Sequence, residues 1–261
     1  MQETDWNAYK PARIAELVEE AGVAKARLPF APLLFLAILA GAHISFGGAF
    51  YLAVLAGAEE ITGLVRFAAA IAFSLGLILV IVGGAELFTG NALMVMALVD
   101  GRIPFLLLIR NWAIVFLGNA IGAGLILGLC YSGGMIAGDF GEVARRVAEG
   151  KLALTPNAGV ARGILCNALV CLAVWLSFAA RTAAGKVLVI ILPIAAFVTL
   201  GLEHSIANLF LVPLGLLAGA EGDVRAVLEN LFTVTLGNII GGAGGVALFY
   251  WVAFGRDAKN G

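Results

Sequence analysis

Gly84-Ala-Glu-Leu-Phe-Thr-Gly-Asn91 and Gly201-Leu-Glu-His-Ser-Ile-Ala-Asn208 repeat one pattern: a glycine, a glutamate two residues on, and an asparagine five beyond that. Each copy lies inside a long, otherwise uncharged apolar run. A carboxylate at hydrocarbon depth is costly, so an intramembrane acid normally faces a bundle interior or a wet cavity and marks a working site. The second copy also carries His204.

The 261 residues as a whole are 62% hydrophobic and 13% charged, with 34 glycines. The mean hydropathy is +1.03. A soluble globular domain does not have this composition. The net charge of −1, with bases scattered between the apolar blocks, excludes a nucleic-acid-binding face. Cys130, Cys166 and Cys171 all lie in apolar runs and read as buried free thiols rather than a disulfide framework. Two histidines, without clustered cysteines or carboxylates, give no metal site. No cofactor is expected either.

Apolar stretches long enough to cross a bilayer run near 30–57, 63–99, 104–131, 157–180, 186–217 and 229–254. The expected fold is therefore an all-α integral membrane protein with six crossings. The second and fifth are too long for one straight span and hold the polar clusters, which points to half-helices flanking a break. Irregular backbone at that depth persists only where it lines a cavity or is buried in protein. Residues 1–28, with Trp6, Ala12, Ile14, Leu17 and Val18 at near-helical spacing, read as an amphipathic helix on the membrane or against a neighbouring subunit, or else as a solvated tail. They are not a signal peptide. Residues 29–255 form the membrane domain and 256–261 a tail. The 132–156 loop can form a surface helix.

With both termini inside, Lys10, Arg13, Lys25, Arg27, Arg102, Arg110, Arg181, Lys186, Arg256 and Lys259 fall on the inner side. Arg66, Arg145, Arg146, Lys151, Arg162 and Arg225 fall outside, in keeping with the positive-inside rule.

A second match joins the halves: Leu117-Gly-Asn-Ala-Ile-Gly122 in the third crossing and Leu236-Gly-Asn-Ile-Ile-Gly241 in the sixth. Because three crossings is an odd number, the second half enters from the opposite face, giving an inverted 3+3 repeat with breaks meeting near the midplane. Asn119 and Asn238 read as packing residues at small-residue helix contacts. Glu86 reads as satisfying backbone amides in its own break. His43 reads as a packing residue, bonded to Ser45 or a neighbouring helix, and Trp112, Trp175, Tyr250 and Trp251 as an interfacial belt or packing.

The two glycine-to-asparagine stretches, together with Gly163-Ile-Leu-Cys-Asn-Ala-Leu-Val-Cys-Leu-Ala-Val-Trp175, resemble the signatures of the formate/nitrite transporter family. The resemblance spans essentially the whole chain. It implies an aquaporin-like protomer assembled as a homopentamer, one pore per protomer, conducting small monovalent anions in a bacterial or archaeal cytoplasmic membrane. It further implies His204 as the central histidine with Thr89 as its partner, and Asn167 and Asn208 as pore or loop-supporting residues. Glu203 would orient the histidine and Lys151 would be the outer-vestibule base, although Lys151 can equally be a solvated loop charge. Apolar constrictions would fall at Phe73, Leu77, Leu87 and the adjacent Phe88 on one half, and at Val170 and Phe197 on the other.

The physical logic stands beside the resemblance. An anion entering a narrow apolar pore loses water without gaining a counter-charge, whereas a neutral acid does not pay that cost. A histidine can hold a weak-acid anion or hand it a proton near neutral pH. Formate, nitrite and hydrosulfide all suit such a centre, with formate preferred and protons as the co-substrate. Thr89 can donate to an oxyanion or cap a half-helix. The contrasting reading, an intramembrane enzyme using Ser205 and His204, is disfavoured because adjacent helical residues point about 100° apart.

Overall fold

The computed structural model describes residues 8–255, in which every regular element is helical. The expected tail at 256–261, together with Trp6, Arg256 and Lys259, lies outside the described residues. Helix α1 (Pro11–Ala26) is followed by α2 (Phe30–Ala56) and α3 (Gly63–Gly83). After a non-helical stretch at 84–89, a 3₁₀ turn (Gly90–Met94) runs into α4 (Val95–Val99). Then come α5 (Phe105–Ser132), α6 (Gly138–Leu152), α7 (Pro156–Ala179), α8 (Ala183–Thr199), α9 (Ser205–Leu217) and α10 (Val224–Ile239).

Among the described residues, five helices are long and apolar enough to cross a membrane. The apolar stretch at 186–217 is not among them, because it is divided into α8 and α9 by residues 200–204. Gly84 and Gly201 start the two breaks, both with positive φ (80° and 66°), a conformation that other residues adopt only under strain.

Close backbone approach explains several of the other glycines. A Cβ at Gly41 would collide with the Asn119 carbonyl oxygen, and one at Gly122 with that of Ile38. Helices α2 and α5 therefore pack backbone to backbone. Gly163 and Gly237 do the same for α7 and α10. The last helix runs further than the apolar pattern suggested, from Val224, and passes through π-helical turns at Ile240–Ala247 and Trp251–Gly255. Widened turns of this kind insert one residue into the helical ladder. Here Gly242 sits where any side chain would strike Asn167 and Cys171.

The apolar face of helix α1 packs against its own chain. Ile14, Ala15, Val18 and Ala26 are buried in a cluster with Ala92, Leu93, Met94 and Ala97. The 132–156 segment forms α6, whose buried residues include Val143, Ala144 and Ala148. On its exposed side Arg145 bonds both Glu142 and Glu149, and this pairing holds the Glu142 carboxyl below its ordinary value.

Candidate functional site

Two backbone segments without regular structure need partners for their peptide groups, and each receives them from an asparagine on a neighbouring helix. In the first break, Asn119 of α5 accepts from the Phe88 N–H (3.0 Å) and donates to the Glu86 and Ala37 carbonyls (2.9 and 2.7 Å). In the second, Asn238 of α10 accepts from the Ser205 N–H and donates to the Glu203 and Gly163 carbonyls, each at 2.9 Å. Both asparagines are fully buried. Their role is therefore to clamp the breaks, which corrects the packing reading drawn from their glycine-rich surroundings.

The two glutamates are held by matching sets. Glu86 meets Lys25 Nζ at 2.7 Å and accepts from Asn91 at 2.8 Å, and Asn91 also donates to Asn111. Glu203 meets Lys151 Nζ with both oxygens at 3.1 Å and accepts from Asn208 at 2.7 Å, and Asn208 also donates to Asn230. Asn111 and Asn230 complete the match by donating to the backbone carbonyls of Lys25 and Lys151.

These bonds revise three expectations. The Glu86 carboxylate takes a lysine and an asparagine rather than amides of its own break. The Glu203 carboxylate reaches Lys151 and Asn208 rather than the histidine. Lys151, with its side chain only 14% exposed, is a paired residue and not a solvated loop charge. A buried carboxylate is tolerable only with such a partner. Lys25, Asn111 and Asn230 carried no site signal in the sequence beyond their types.

Thr89 and His204 stand at the tips of the two breaks, with Thr89 Oγ1 3.0 Å from His204 Nε2 and both residues buried. Nδ1 of His204 accepts from the Ala207 N–H (3.1 Å), capping α9. The neutral ring therefore carries its hydrogen on Nε2, which donates to Thr89, and the threonine hydroxyl keeps its own proton to offer. Helix α9 begins at Ser205, so its positive end lies at this pair. Asn167 supports the tip from behind by donating to the Thr89 and Asn238 carbonyls, and the Cys171 thiol also reaches the Thr89 carbonyl. The three cysteines are buried and free.

A cavity approaches this centre from each direction. One, of about 470 Å³, is lined by Phe73, Phe197, His204, Lys151, Arg66 and Arg162, among others. The other, of about 270 Å³, is lined by Leu77, Leu87, Glu86, Lys25 and Lys186, among others. Phe73 and Leu77 are one turn apart on α3, so the barrier is about 6 Å deep along that helix.

The constriction residues accordingly divide by cavity rather than by half of the chain. Phe73 lies edge-on to Phe197 (5.7 Å), which stacks on the His204 ring (5.9 Å). Leu77 and Leu87 close the other side. Val170 and Phe88 line neither cavity. Phe88 packs edge-on against Phe116 and Trp112, facing a separate apolar groove beside α5.

Elsewhere, Ser45 donates to the Gly41 carbonyl and not to His43. Trp112 donates to the Asn91 carbonyl, another support for the first break, and the buried Trp175 stacks on Tyr250 at 3.9 Å. Neither ring nitrogen of His204 bonds Ser205, whose hydroxyl is buried without a partner among the described residues. The nucleophile–base pair of a hydrolase is not formed.

Paired helix breaks that meet at a buried polar centre, between two cavities lined with bases, are the anatomy of a multi-pass membrane transport protein. The chain belongs to the formate/nitrite transporter family, whose sequence model matches residues 12–252. It is 39% identical over 211 residues to the formate channel FocA of Escherichia coli strain K12, covering 79% of this chain and 74% of that one. It is 41% identical over 220 residues to the uncharacterized transporter YrhG of Bacillus subtilis strain 168, covering 81% of each. A solved pentameric formate channel with formate bound superposes with a TM-score of 0.79 at 37% identity, over 86% of this chain and 97% of that one. An FNT family ion channel superposes with a TM-score of 0.85 at 28% identity, over 92% and 98%.

Proposed function

We propose that this chain is a formate channel in which a small weak-acid anion passes from the Lys151 cavity, between Thr89 and His204, to the Lys25 cavity. The observation that carries the reading is the buried Thr89–His204 contact, placed between two cavities whose walls carry more bases than acids. Nε2–H and the threonine hydroxyl are two donors that an incoming carboxylate can accept from once their mutual bond opens. Asn119 and Asn238 fix the two tips, and the Lys25–Glu86 and Lys151–Glu203 pairs neutralise the acids that would otherwise repel the anion. Nitrite and hydrosulfide fit the same centre by size and charge.

The matching polar sets around the two breaks support an inverted repeat of six crossings, with α1 and α6 as counterpart helices that each deliver a lysine. The pentameric relative supports a homopentamer with one pore per protomer. The reading places the protein in a prokaryotic cytoplasmic membrane, with the Lys25 cavity and both termini on the cytoplasmic side. Residues 1–28 and 256–261 then flank one membrane domain at 29–255.

Proton coupling is part of the proposal. An anion that takes the Nε2 proton of His204, while the ring regains a proton from water on the entry side, crosses the Leu77–Leu87 constriction as a neutral acid, free of the desolvation cost of a bare charge. A second reading has the anion pass as such with the ring acting only as donor, and it is favoured by the commitment of Nδ1 to the Ala207 N–H. Formate uptake into proteoliposomes at several external pH values separates the two. On the coupled reading, acidification raises wild-type uptake more steeply than the protonation of formate itself accounts for, and His204→Phe removes that excess. A variant that keeps the whole pH response refutes proton transfer at His204.

A further inference from the structure

Tyr51, Arg66 and Arg146 stand where two cavities join. All three line the Lys151 vestibule, and all three line a side cavity of about 280 Å³ that continues past Leu55 and Thr199. The other vestibule bases have taken partners: Lys151 holds Glu203, and Arg162 donates to the Gly201 carbonyl. The Arg66 guanidinium makes no hydrogen bond or ion pair with the described residues, and the Tyr51 hydroxyl makes no hydrogen bond with them. Arg146 is tied through Nε alone, 3.6 Å from Glu142, whose carboxylate is already bonded by Arg145 at 2.7 and 3.0 Å.

A guanidinium offers five N–H donors and no acceptor, and a tyrosine hydroxyl adds one more donor. Donors that converge on one cavity without acceptors call for an anion, and the planar fork of arginine matches the two oxygens of a carboxylate. Glu59, Glu60, Asp139 and Glu142 line a separate cavity on the other side of Arg146, so negative charge lies beyond the arginines. Tyr51 also connects the junction to the constriction. Its ring lies edge-on to Phe73 at 6.2 Å, and Phe73 touches the Phe197 ring that stacks on His204.

We propose that Arg66, Arg146 and Tyr51 form an outer holding site for a small carboxylate anion, one step ahead of Lys151 and His204. The site loads the pore from this face. The opposite cavity has no counterpart arrangement of arginines in its lining, where Lys25 is paired with Glu86 and Lys186 is the other base. The proposal rests on the formate-channel reading for what is finally carried, but not for what is bound.

The probe is malonate, a dicarboxylate too large and too highly charged for the pore. In vesicles holding the full-length protein in one orientation, malonate on the Lys151 face is expected to block formate flux, whereas malonate on the other face blocks far less. Arg66→Gln should weaken the block about tenfold and Tyr51→Phe about threefold, the effect of removing one charged and one neutral hydrogen-bonding group. Arg66 is exposed and unbonded, so this change leaves the fold intact. The same purified proteins are heated with and without malonate, because a ligand bound only to the folded state raises Tm in proportion to the logarithm of its excess over Kd. The rise expected for the wild type should be lost in Arg66→Gln. Equal block and equal thermal shift in wild type, Arg66→Gln and Tyr51→Phe overturn the site. A wild type that passes no formate but shows an Arg66-dependent thermal shift sinks the channel reading and leaves the binding site standing.

Discussion

Replacing Asn238 by leucine separates the clamp from a mere spacer. Leucine has the same branching and the same number of side-chain heavy atoms, so if Asn238 only filled the α7–α10 contact the change would be tolerated at about 1 kcal/mol. The bonds require more. The Ser205 N–H and the Glu203 carbonyl lie in or beside a helix break, where Asn238 is the partner found for each. Orphaning a buried backbone group costs about 1–3 kcal/mol. The Gly163 carbonyl lies within α7 and loses a supplementary bond worth about 0.5–1.5 kcal/mol. The sum is about 2.5–7.5 kcal/mol, which at about 2–4 °C per kcal/mol for a domain of this size lowers Tm by about 5–30 °C. Because the second break carries His204, flux should fall with it. The assay is thermal unfolding of the purified protein in detergent, with formate flux in parallel and Asn119→Leu as the equivalent change at the first break. An Asn238→Leu protein that melts within about 2 °C of wild type and conducts normally refutes the clamp and restores the packing role.

Lys25→Met should destabilise the protein by about 3 kcal/mol, because Glu86 is left as a buried charge; the cost falls at the low end of the range because Lys25 is itself part-exposed. Adding Glu86→Gln should recover most of that loss in a double-mutant cycle, and additive losses would show that the pair does not interact. On α6, the Glu142 carboxyl is held below its ordinary value first by its hydrogen bond to Arg145. A depressed folded-state pKa gives stability that is fully present above the unfolded value near 4.5 and is lost as pH falls through the lower folded value. Protection of α6 from an acid protease should therefore hold down to about pH 4.5 and decline below it. In Arg145→Gln that pH-dependent step should shrink to the smaller contribution of Arg146.

The breaks were legible because an acid, a glycine and an asparagine at fixed spacing have no cheap place in hydrocarbon except around irregular backbone. The Thr89–His204 contact could be anticipated only as far as the two breaks could be matched. What joins the glutamates to their lysines was not legible, since Lys25 and Glu86 are separated by 61 positions and lysines beside apolar runs are common. The roles of Asn119 and Asn238 were misread for a physical reason. Glycines flanking an asparagine signal close helix packing, which is present, but the close approach of the backbones also brings the amide to the break, and no periodicity records that second consequence. Phe88 shows the limit of adjacency: it follows Leu87 directly, yet in irregular backbone neighbouring side chains diverge, and it turns to Trp112 and Phe116 while Leu87 lines a cavity. Arg66 gave no site signal, because the proposed holding site depends on its having no hydrogen-bond or ion-pair partner among the described residues.

The central claim is conduction through the Thr89–His204 centre, and flux tests it most directly. Purified protein in proteoliposomes is given formate, nitrite and hydrosulfide in turn at fixed pH, alongside protein-free vesicles. The account expects formate flux well above the protein-free rate, saturating with concentration and collapsing in Thr89→Val. Flux of all three anions at the protein-free rate, from protein that remains folded, would contradict it.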